Sequence, residues 1–248
     1  FHKSMQSAGK NALGEKAAHK LGLAQFRQNA FDKARRTFAY QLATWPKGIL
    51  ADDAAFMVAE ALFKQAKYAD ALPYYQRVKS PAATEMTGLA TLRAGQVQGQ
   101  LKQWQASLAT LAQATKEHSD SEHLPEMLCE EAWARQNLGQ LDLALKRYEE
   151  VTIKSEAEAA ARARFRIGEI YARNREHDKA IKNFIQAAYG YGYPRWQARA
   201  HYEAGRCYEA LGKKEQAVKS YREVTGKFPH SDQAAPAKRR LAALAAAK

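Results

Sequence analysis

The chain has 248 residues, of which 46% are hydrophobic, and it carries a formal net charge of +13 from 39 basic and 26 acidic side chains. This hydrophobic content is enough for a sizeable core and excludes a wholly disordered chain. Two cysteines are too few for a disulfide framework, and the longest apolar runs are far shorter than a membrane span. The basic residues are spread along the chain, so an anionic partner would meet a broad surface.

Six segments share one pattern, in which a small residue is followed four positions later by a large apolar one. The segments are FDKARRTF (31–38), YADALPYY (68–75), WQASLATL (104–111), LDLALKRY (141–148), HDKAIKNF (177–184) and KEQAVKSY (214–221). The small positions are Ala34, Ala71, Ser107, Ala144, Ala180 and Ala217. The large positions are Phe38, Tyr75, Leu111, Tyr148, Phe184 and Tyr221. The chain therefore repeats with a period of 36 or 37 residues.

A second column of small residues supports this period. It lies twelve positions before the first column and comprises Gly22, Ala59, Gly95, Ala132, Gly168 and Gly205. Small residues let two helices approach closely, and a large side chain one turn further on fills the space beside them. Each repeat is therefore predicted to be a helix, a short turn and a second helix. Stacking six such pairs supplies the core that one pair lacks.

These repeats predict three parts in chain order. We expect residues 1–14 to form a leader segment or a frayed helix, residues 15–234 the six repeats, and residues 235–248 a C-terminal capping helix with Arg239 and Arg240 turned to solvent. Pro73 lies inside a predicted second helix, which it should kink or shorten. The stretch AYGYGYPRW (188–196) falls between the fifth and sixth repeats, where Gly190 and Gly192 are expected to supply positive φ angles.

The pattern resembles the tetratricopeptide repeat (TPR) family. The first repeat carries the resemblance at Leu21, Gly22, Phe31, Ala34, Phe38 and Pro46. The sixth carries it at Ala204, Gly205, Tyr208, the segment LGKKEQAVKSY and Pro229. The resemblance implies an all-α, right-handed superhelical solenoid of about six TPR-like helix pairs plus a C-terminal capping helix. The third repeat departs most, with Ser107 and Leu111 in place of alanine and an aromatic residue.

The linkers resemble those of a bacterial subgroup. The period is longer than the about 34 residues usual in the family, and TWPKGILADD and KFPHSDQAAP are similar to junctions in bacterial envelope members. Examples are the lipoprotein of the outer-membrane barrel-assembly machine and the Tol–Pal-associated periplasmic coordinator. This likeness implies the periplasm or cell envelope, with the cytoplasm left open.

The sequence contains no motif for nucleotide binding, acyl hydrolysis, metalloprotease or dithiol chemistry. We therefore predict no enzymatic activity, no catalytic residues, no cofactor and no metal site. His118 and His123, near Cys129, are interpreted as parts of a polar loop between repeats. The pairs Glu130–Glu131 and Glu149–Glu150 are interpreted as solvated helix faces.

The resemblance implies that the first helix of each repeat lines a concave groove. The aromatic residues that alignment places there are Phe26, Phe56, Phe63, Trp133, Phe165 and Tyr202. The basic ones are Arg162, Arg166, Arg173, Arg199 and Arg206. Exposed aromatic residues anchor peptides, and clustered arginines suit carboxylates or phosphates. The alternative is that the rings belong to the inter-helix core and the arginines to a solvated face with glutamate partners.

The junction stretch offers a second candidate surface. Tyr191, Tyr193, Arg195 and Trp196 are either parts of the joint alone or an edge patch that contacts a partner. In the joint, Pro194 restarts the chain and Trp196 fastens the new helix onto its neighbour.

The function expected from these features is a non-enzymatic scaffold that binds a protein or peptide partner, with acidic partners among the candidates, in a bacterial cell-envelope assembly. One alternative is a basic adaptor for an anionic polymer, nucleic acid or acidic glycan. No nucleic-acid-binding module is recognisable, so nucleic acid is the less expected partner. Another alternative is a self-assembling structural array, and the oligomeric state is left open.

Overall fold

The structure is a computed structural model that describes residues 11–79 and 84–246. Over these residues the chain forms thirteen α-helices and no β-strand. The helices are α1 (Ala12–Arg27), α2 (Phe31–Thr44), α3 (Ala51–Lys64), α4 (Tyr68–Arg77), α5 (Thr84–Gln100), α6 (Trp104–Glu117), α7 (Leu124–Asn137), α8 (Leu141–Lys154), α9 (Glu158–Arg173), α10 (His177–Tyr189), α11 (Pro194–Ala210), α12 (Lys214–Lys227) and α13 (Ala234–Ala246). The predicted all-α repeat fold is confirmed, with six helix pairs from α1/α2 to α11/α12 followed by α13.

The chain divides into two compact units, Phe1–Glu130 and Glu131–Lys248. In the first unit, each helix from α1 to α5 packs on the helix that follows it in the chain. In the second unit, each helix from α8 to α12 does the same, and the first helices α9 and α11 also contact each other. Stacking of pairs is thus present within each unit.

The three columns of the repeat form the packing between paired helices. All eighteen positions are buried in the structure. A Cβ atom placed on Gly22 would lie 2.6 Å from the Phe38 ring, and one on Gly205 would lie 2.6 Å from the Tyr221 ring. The absent side chain is therefore the space into which the large residue of the second helix fits.

The turn inside each repeat passes through one residue with a positive φ angle. These residues are Asn29, Ala66, Lys102, Gly139, Arg175 and Gly212, which follow the same period as the packing columns. A left-handed residue commonly ends a helix, and glycine adopts this conformation at the least cost. Only two of the six repeats use glycine here, so sequence composition does not reveal the turn.

The prediction for Gly190 and Gly192 is wrong, because neither is among the described residues with positive φ. Gly190 has a φ of −79° and caps α10 through its N–H to the Gln186 carbonyl. A Cβ on Gly190 would lie 2.6 Å from that carbonyl oxygen. The glycine is explained by this close approach rather than by backbone handedness.

Pro73 has the predicted effect on the helix that contains it. α4 has ten residues and is the shortest of the thirteen described helices. At the start of the chain, α1 begins at Ala12, where the Asn11 side chain accepts hydrogen bonds from the next turn. Residues 1–10 of the expected leader and the last two residues of the expected cap lie outside the described residues.

The capping helix α13 packs on α12, but one of its arginines is not simply turned to solvent. Arg240 binds the Glu209 carboxylate of α11, with its Nε 2.9 Å from Oε1. The same carboxylate accepts a 2.5 Å hydrogen bond from the Tyr221 hydroxyl. Arg240 therefore fastens the cap to the sixth repeat.

Candidate functional site

The aromatic residues predicted for the groove in the first unit are half-buried, and each contacts the second helix of its own repeat. Phe26 lies 5.2 Å from Phe31, measured between ring centroids, in an edge-to-face arrangement. Phe63 makes the same contact with Tyr68 at 5.3 Å. Phe56 lies 5.7 Å from Tyr75. These contacts show that the three rings pack within their own repeats. Each ring also keeps part of its surface exposed.

Polar side chains join the first helices α3, α5 and α7 in this unit. The Tyr75 hydroxyl donates to Glu60 at 2.6 Å, and the Arg93 guanidinium lies 3.2 Å from the same carboxylate. Arg93 donates to Gln96 at 2.8 Å, and Gln96 donates to Glu130 at 3.1 Å. Burial and Glu60 raise the pKa of Tyr75 well above its usual range. These side chains bind one another across the three helices, so we interpret the network as structural.

The expectation of a solvated face at Glu130–Glu131 is wrong. Glu130 is 6% exposed, and the Glu131 side chain is fully buried. Glu131 accepts from Arg135 at 2.7 Å and from Arg147 at 3.2 Å. A buried carboxylate requires such partners because desolvation is otherwise too costly. The pair is therefore structural.

Two residues predicted to contact a partner in the second unit lie in the core. Phe165 is 5% exposed and sits between Phe184 and Trp196, with both ring centroids 5.5 Å away. Trp196 is 4% exposed, and its indole N–H donates to Glu158 of α9 at 2.9 Å. Trp196 thus fastens α11 onto α9, and neither ring presents a face to a partner.

The predicted arginines of the second unit are arranged against tryptophan rings. The Arg166 guanidinium carbon lies 5.7 Å from the centroid of the half-buried Trp133 ring, and its Nη1 donates to Glu169 at 2.7 Å. Arg199 and Arg195 lie 5.4 and 5.6 Å from the centroid of Trp196. Cations at these distances are attracted by the negative ring face.

Arg199 joins the predicted groove to the junction stretch. Burial lowers the pKa of Arg199, and the positive charges of Arg195 and Arg166 lower it further. Arg195, from the junction, and Arg166, from the groove set, are therefore both close enough to act on one guanidinium. The sequence placed them on separate surfaces.

A cavity of about 430 Å³ lies between α9, α10 and α11. Predicted Arg173 and Arg206 line it, together with Glu169, Glu203, His177 and Cys207. Arg206 donates to Glu203 at 3.0 Å. Burial raises the pKa of Glu203, and burial together with Glu203 raises the pKa of the Cys207 thiol to about 11. Such a thiol stays protonated at neutral pH and is a poor nucleophile.

The remaining predicted residues occupy intermediate positions. Tyr202 is half-buried beside Tyr221, with ring centroids 5.7 Å apart, and Arg162 is half-buried on α9. Tyr191 and Tyr193 are partly buried against the core of the second unit. The most exposed ring of the junction is Tyr189, which is 58% exposed and was not singled out by the sequence. It contacts the buried His201 at 5.0 Å.

One group of potential metal ligands occurs among the described residues. Atoms of Glu85, Glu122 and His123 lie within 4.8 Å of one another. Both carboxylates are exposed, and Ser121 donates to Glu85 at 3.2 Å. His118 lies outside this group, against Gly88.

Two models of the tetratricopeptide repeat family match the chain. One matches residues 19–85 and 129–195, which is more than half of the chain, and the other matches residues 199–231. No curated protein sequence matches the chain significantly. None of the thirteen described helices combines the length and the apolar character that crossing a bilayer requires.

Several solved structures are similar in fold. The chain resembles PilW, described as a widely conserved type IV pilus biogenesis factor, with a TM-score of 0.68 and 15% identity over 90% of this chain and 97% of that one. It resembles Pseudomonas aeruginosa PilF with a TM-score of 0.67 and 13% identity over 91% and 97%. The match to the Cut9–Hcn1 structure has a TM-score of 0.65 and 17% identity, and covers 94% of this chain but 43% of that one. At these identities the likeness shows the fold alone.

Proposed function

The chain belongs to the tetratricopeptide repeat family, and we propose that it is a non-enzymatic scaffold that binds a protein or peptide partner on the first helices of its second unit. The observation that carries the proposal is the cavity between α9 and α11. Glu169 and Glu203 line it, and their carboxylates are paired with Arg166 and Arg206. The groups around it are held in place but are not activated for chemistry.

The neighbouring surface supplies what a peptide anchor needs. Trp133 and Tyr202 are half-buried, so each is held by packing and still exposes part of its ring. Rigid aromatic and arginine side chains contribute most to peptide binding because they lose little conformational freedom. A partner segment can place an apolar side chain against these rings and its polar groups toward the arginines.

We infer a bacterial cell-envelope setting from two observations. The linkers after the first and sixth repeats resemble those of envelope members of the family, and the chain covers nearly the whole of PilW and PilF. Fractionation of bacteria that express the complete gene tests this inference. The protein should appear with periplasmic or membrane markers, and its presence in the cytoplasmic fraction alone would overturn the assignment.

Site-specific photocrosslinking tests the binding surface. A photoreactive amino acid at Arg206 should give a discrete protein adduct in cells, whereas the same group at Lys182, exposed on second helix α10, should not. Equal adducts at both positions, or none at Arg206, would refute this surface as the binding site. An adduct that nuclease removes would favour an anionic polymer instead.

A further inference from the structure

We propose that Arg166, Arg195 and Arg199, here called the arginine cluster, bind the carboxylates of an acidic segment in the partner. This inference rests on the proposed function, because it names the chemistry of the occupant of that surface. Arg195 and Arg199 lie at the start of α11, and Arg166 lies in the middle of α9. None of the three lines the cavity described above.

The cluster is held in place before any partner arrives. Trp196 is fixed by burial and by its hydrogen bond to Glu158, so its ring is a rigid platform. Arg195 and Arg199 both lie over that ring, at 5.6 and 5.4 Å from its centroid. Guanidinium groups that are already positioned lose less entropy on binding, and their planar forks match carboxylates.

Within the part of the chain that the structure describes, Arg166 is paired with a glutamate, whereas Arg195 and Arg199 are not. Among residues 11–79 and 84–246, neither Arg195 nor Arg199 makes an ion pair or a side-chain hydrogen bond, in contrast to Arg206 and Arg166 with their glutamates. Like charges one turn apart on a helix disfavour each other. The charges of Asp232 and Glu169 only partly offset the burial and repulsion that lower the pKa of Arg199. An external anion would relieve this repulsion.

At one position near the start of the first helix, the sixth repeat carries a positive charge where the three preceding repeats carry a negative one. The position ten residues before the earlier small column holds uncharged residues in the first two repeats, Ala12 and Ile49, and glutamates in the next three, Glu85, Glu122 and Glu158. The sixth repeat has Arg195 there, and the first turn of α11 contains no acidic residue. An acidic residue is favoured at a helix N-terminus and an arginine is not. The substitution therefore works against the stability of α11 and is explained by a ligand.

The surroundings favour a short acidic peptide over a polyphosphate. Glu169 is paired with Arg166 of the cluster and lines the neighbouring cavity together with Glu203, and these carboxylates would repel a continuous line of phosphates. The half-buried Trp133, against which Arg166 lies, offers a contact for an apolar side chain next to the carboxylates. The chemistry that fits is one or two aspartates or glutamates adjacent to an apolar or aromatic residue.

Fluorescence polarisation with labelled probes tests this inference. The probes are a peptide of alternating glutamate and leucine, its glutamine counterpart, and a single-stranded oligonucleotide of equal charge. We expect the glutamate peptide alone to bind well, and the R195Q/R199Q double variant to weaken it by about tenfold or more because two charge-assisted contacts are lost. Arg199→Lys should retain part of the affinity.

The matched control is the K219Q/R222Q variant, which removes two exposed positive charges from the second helix α12. It should bind the glutamate peptide as the wild type does. Equal weakening in both double variants would show a net-charge effect and overturn the site, as would tighter binding of the oligonucleotide. Absence of peptide binding would also overturn it, while the crosslink at Arg206 would still test the scaffold function separately. Because R195Q/R199Q removes the repulsion between the two arginines and the unfavourable positive charge at the start of α11, its melting temperature should be no lower than that of the wild type.

Discussion

The close fit between Gly205 and Tyr221 makes a quantitative prediction about stability. A Cβ on Gly205 would lie 2.6 Å from the Tyr221 ring, and this ring cannot move freely, since its hydroxyl donates to Glu209, which Arg240 also binds. Overpacking of a core by one methyl costs about 1–3 kcal/mol. Alanine in place of glycine returns about 1 kcal/mol through helix propensity. We therefore expect Gly205→Ala to lower the free energy of unfolding by up to about 2 kcal/mol.

The same helix pair contains a matched control. Gly226 lies on α12, and a Cβ atom placed on it would meet no atom within 4 Å, so Gly226→Ala gains helix propensity without a clash. Near a helix end this gain is up to about 1 kcal/mol. Urea unfolding followed by circular dichroism should rank Gly226→Ala above wild type and Gly205→Ala below it. If Gly205→Ala were as stable as Gly226→Ala, the packing argument would be wrong. The second and fourth repeats have alanine at the equivalent position, Ala59 and Ala132, so the fold accommodates a methyl group there. If Tyr221 shifts outward by a small distance in Gly205→Ala, the loss of stability will be at the lower end of this range.

Two further predictions concern the turn and a buried histidine. Ala66 has a φ of +56°, so Ala66→Gly should raise the free energy of unfolding by about 0.5–1 kcal/mol, and Gly212→Ala should lower it in the same urea assay. His201 is 3% exposed, and burial lowers its pKa, an effect that Glu223 opposes and Lys227 supports. As the pH falls below about 6.5 the unfolded chain binds a proton that the folded chain does not, so stability decreases. His201→Phe should lose less stability than wild type between about pH 7.5 and 5.5, and equal losses would contradict this cause.

The helix pairs could be predicted from the sequence because their packing repeats. Gly22, Gly168 and Gly205 each face a large ring from the second helix of their own repeat, so the two columns record one physical contact several times. The turn residues could not be predicted in this way. Lys102 and Arg175 adopt left-handed angles without glycine, because the hydrogen bonds that close the turn on both sides determine the backbone.

The site was less predictable because the alignment gives the face of a helix but not the depth of a side chain. Phe165 and Trp133 were assigned to the same groove, yet Phe165 is enclosed by Phe184 and Trp196, whereas Trp133 keeps an exposed part of its ring. The burial of Glu131 depends on Arg147, which lies sixteen positions later on the next helix. Such long-range pairing leaves no local signal in the sequence.

The division of roles within a repeat explains where binding specificity can arise. Positions that fill the space between paired helices are constrained to small or large apolar residues, and they are alike in all six repeats. The first turn of each first helix is outside this constraint, which is why Glu158 and Arg195 can occupy equivalent positions with opposite charge. In the structure the two residues meet at Trp196, which donates to Glu158 and lies under Arg195. The buried Trp196 ring thus packs α11 on α9 and also orients the cations proposed to bind the partner. Trp196→Leu should therefore weaken binding of the acidic peptide, although Trp196 itself does not contact the peptide.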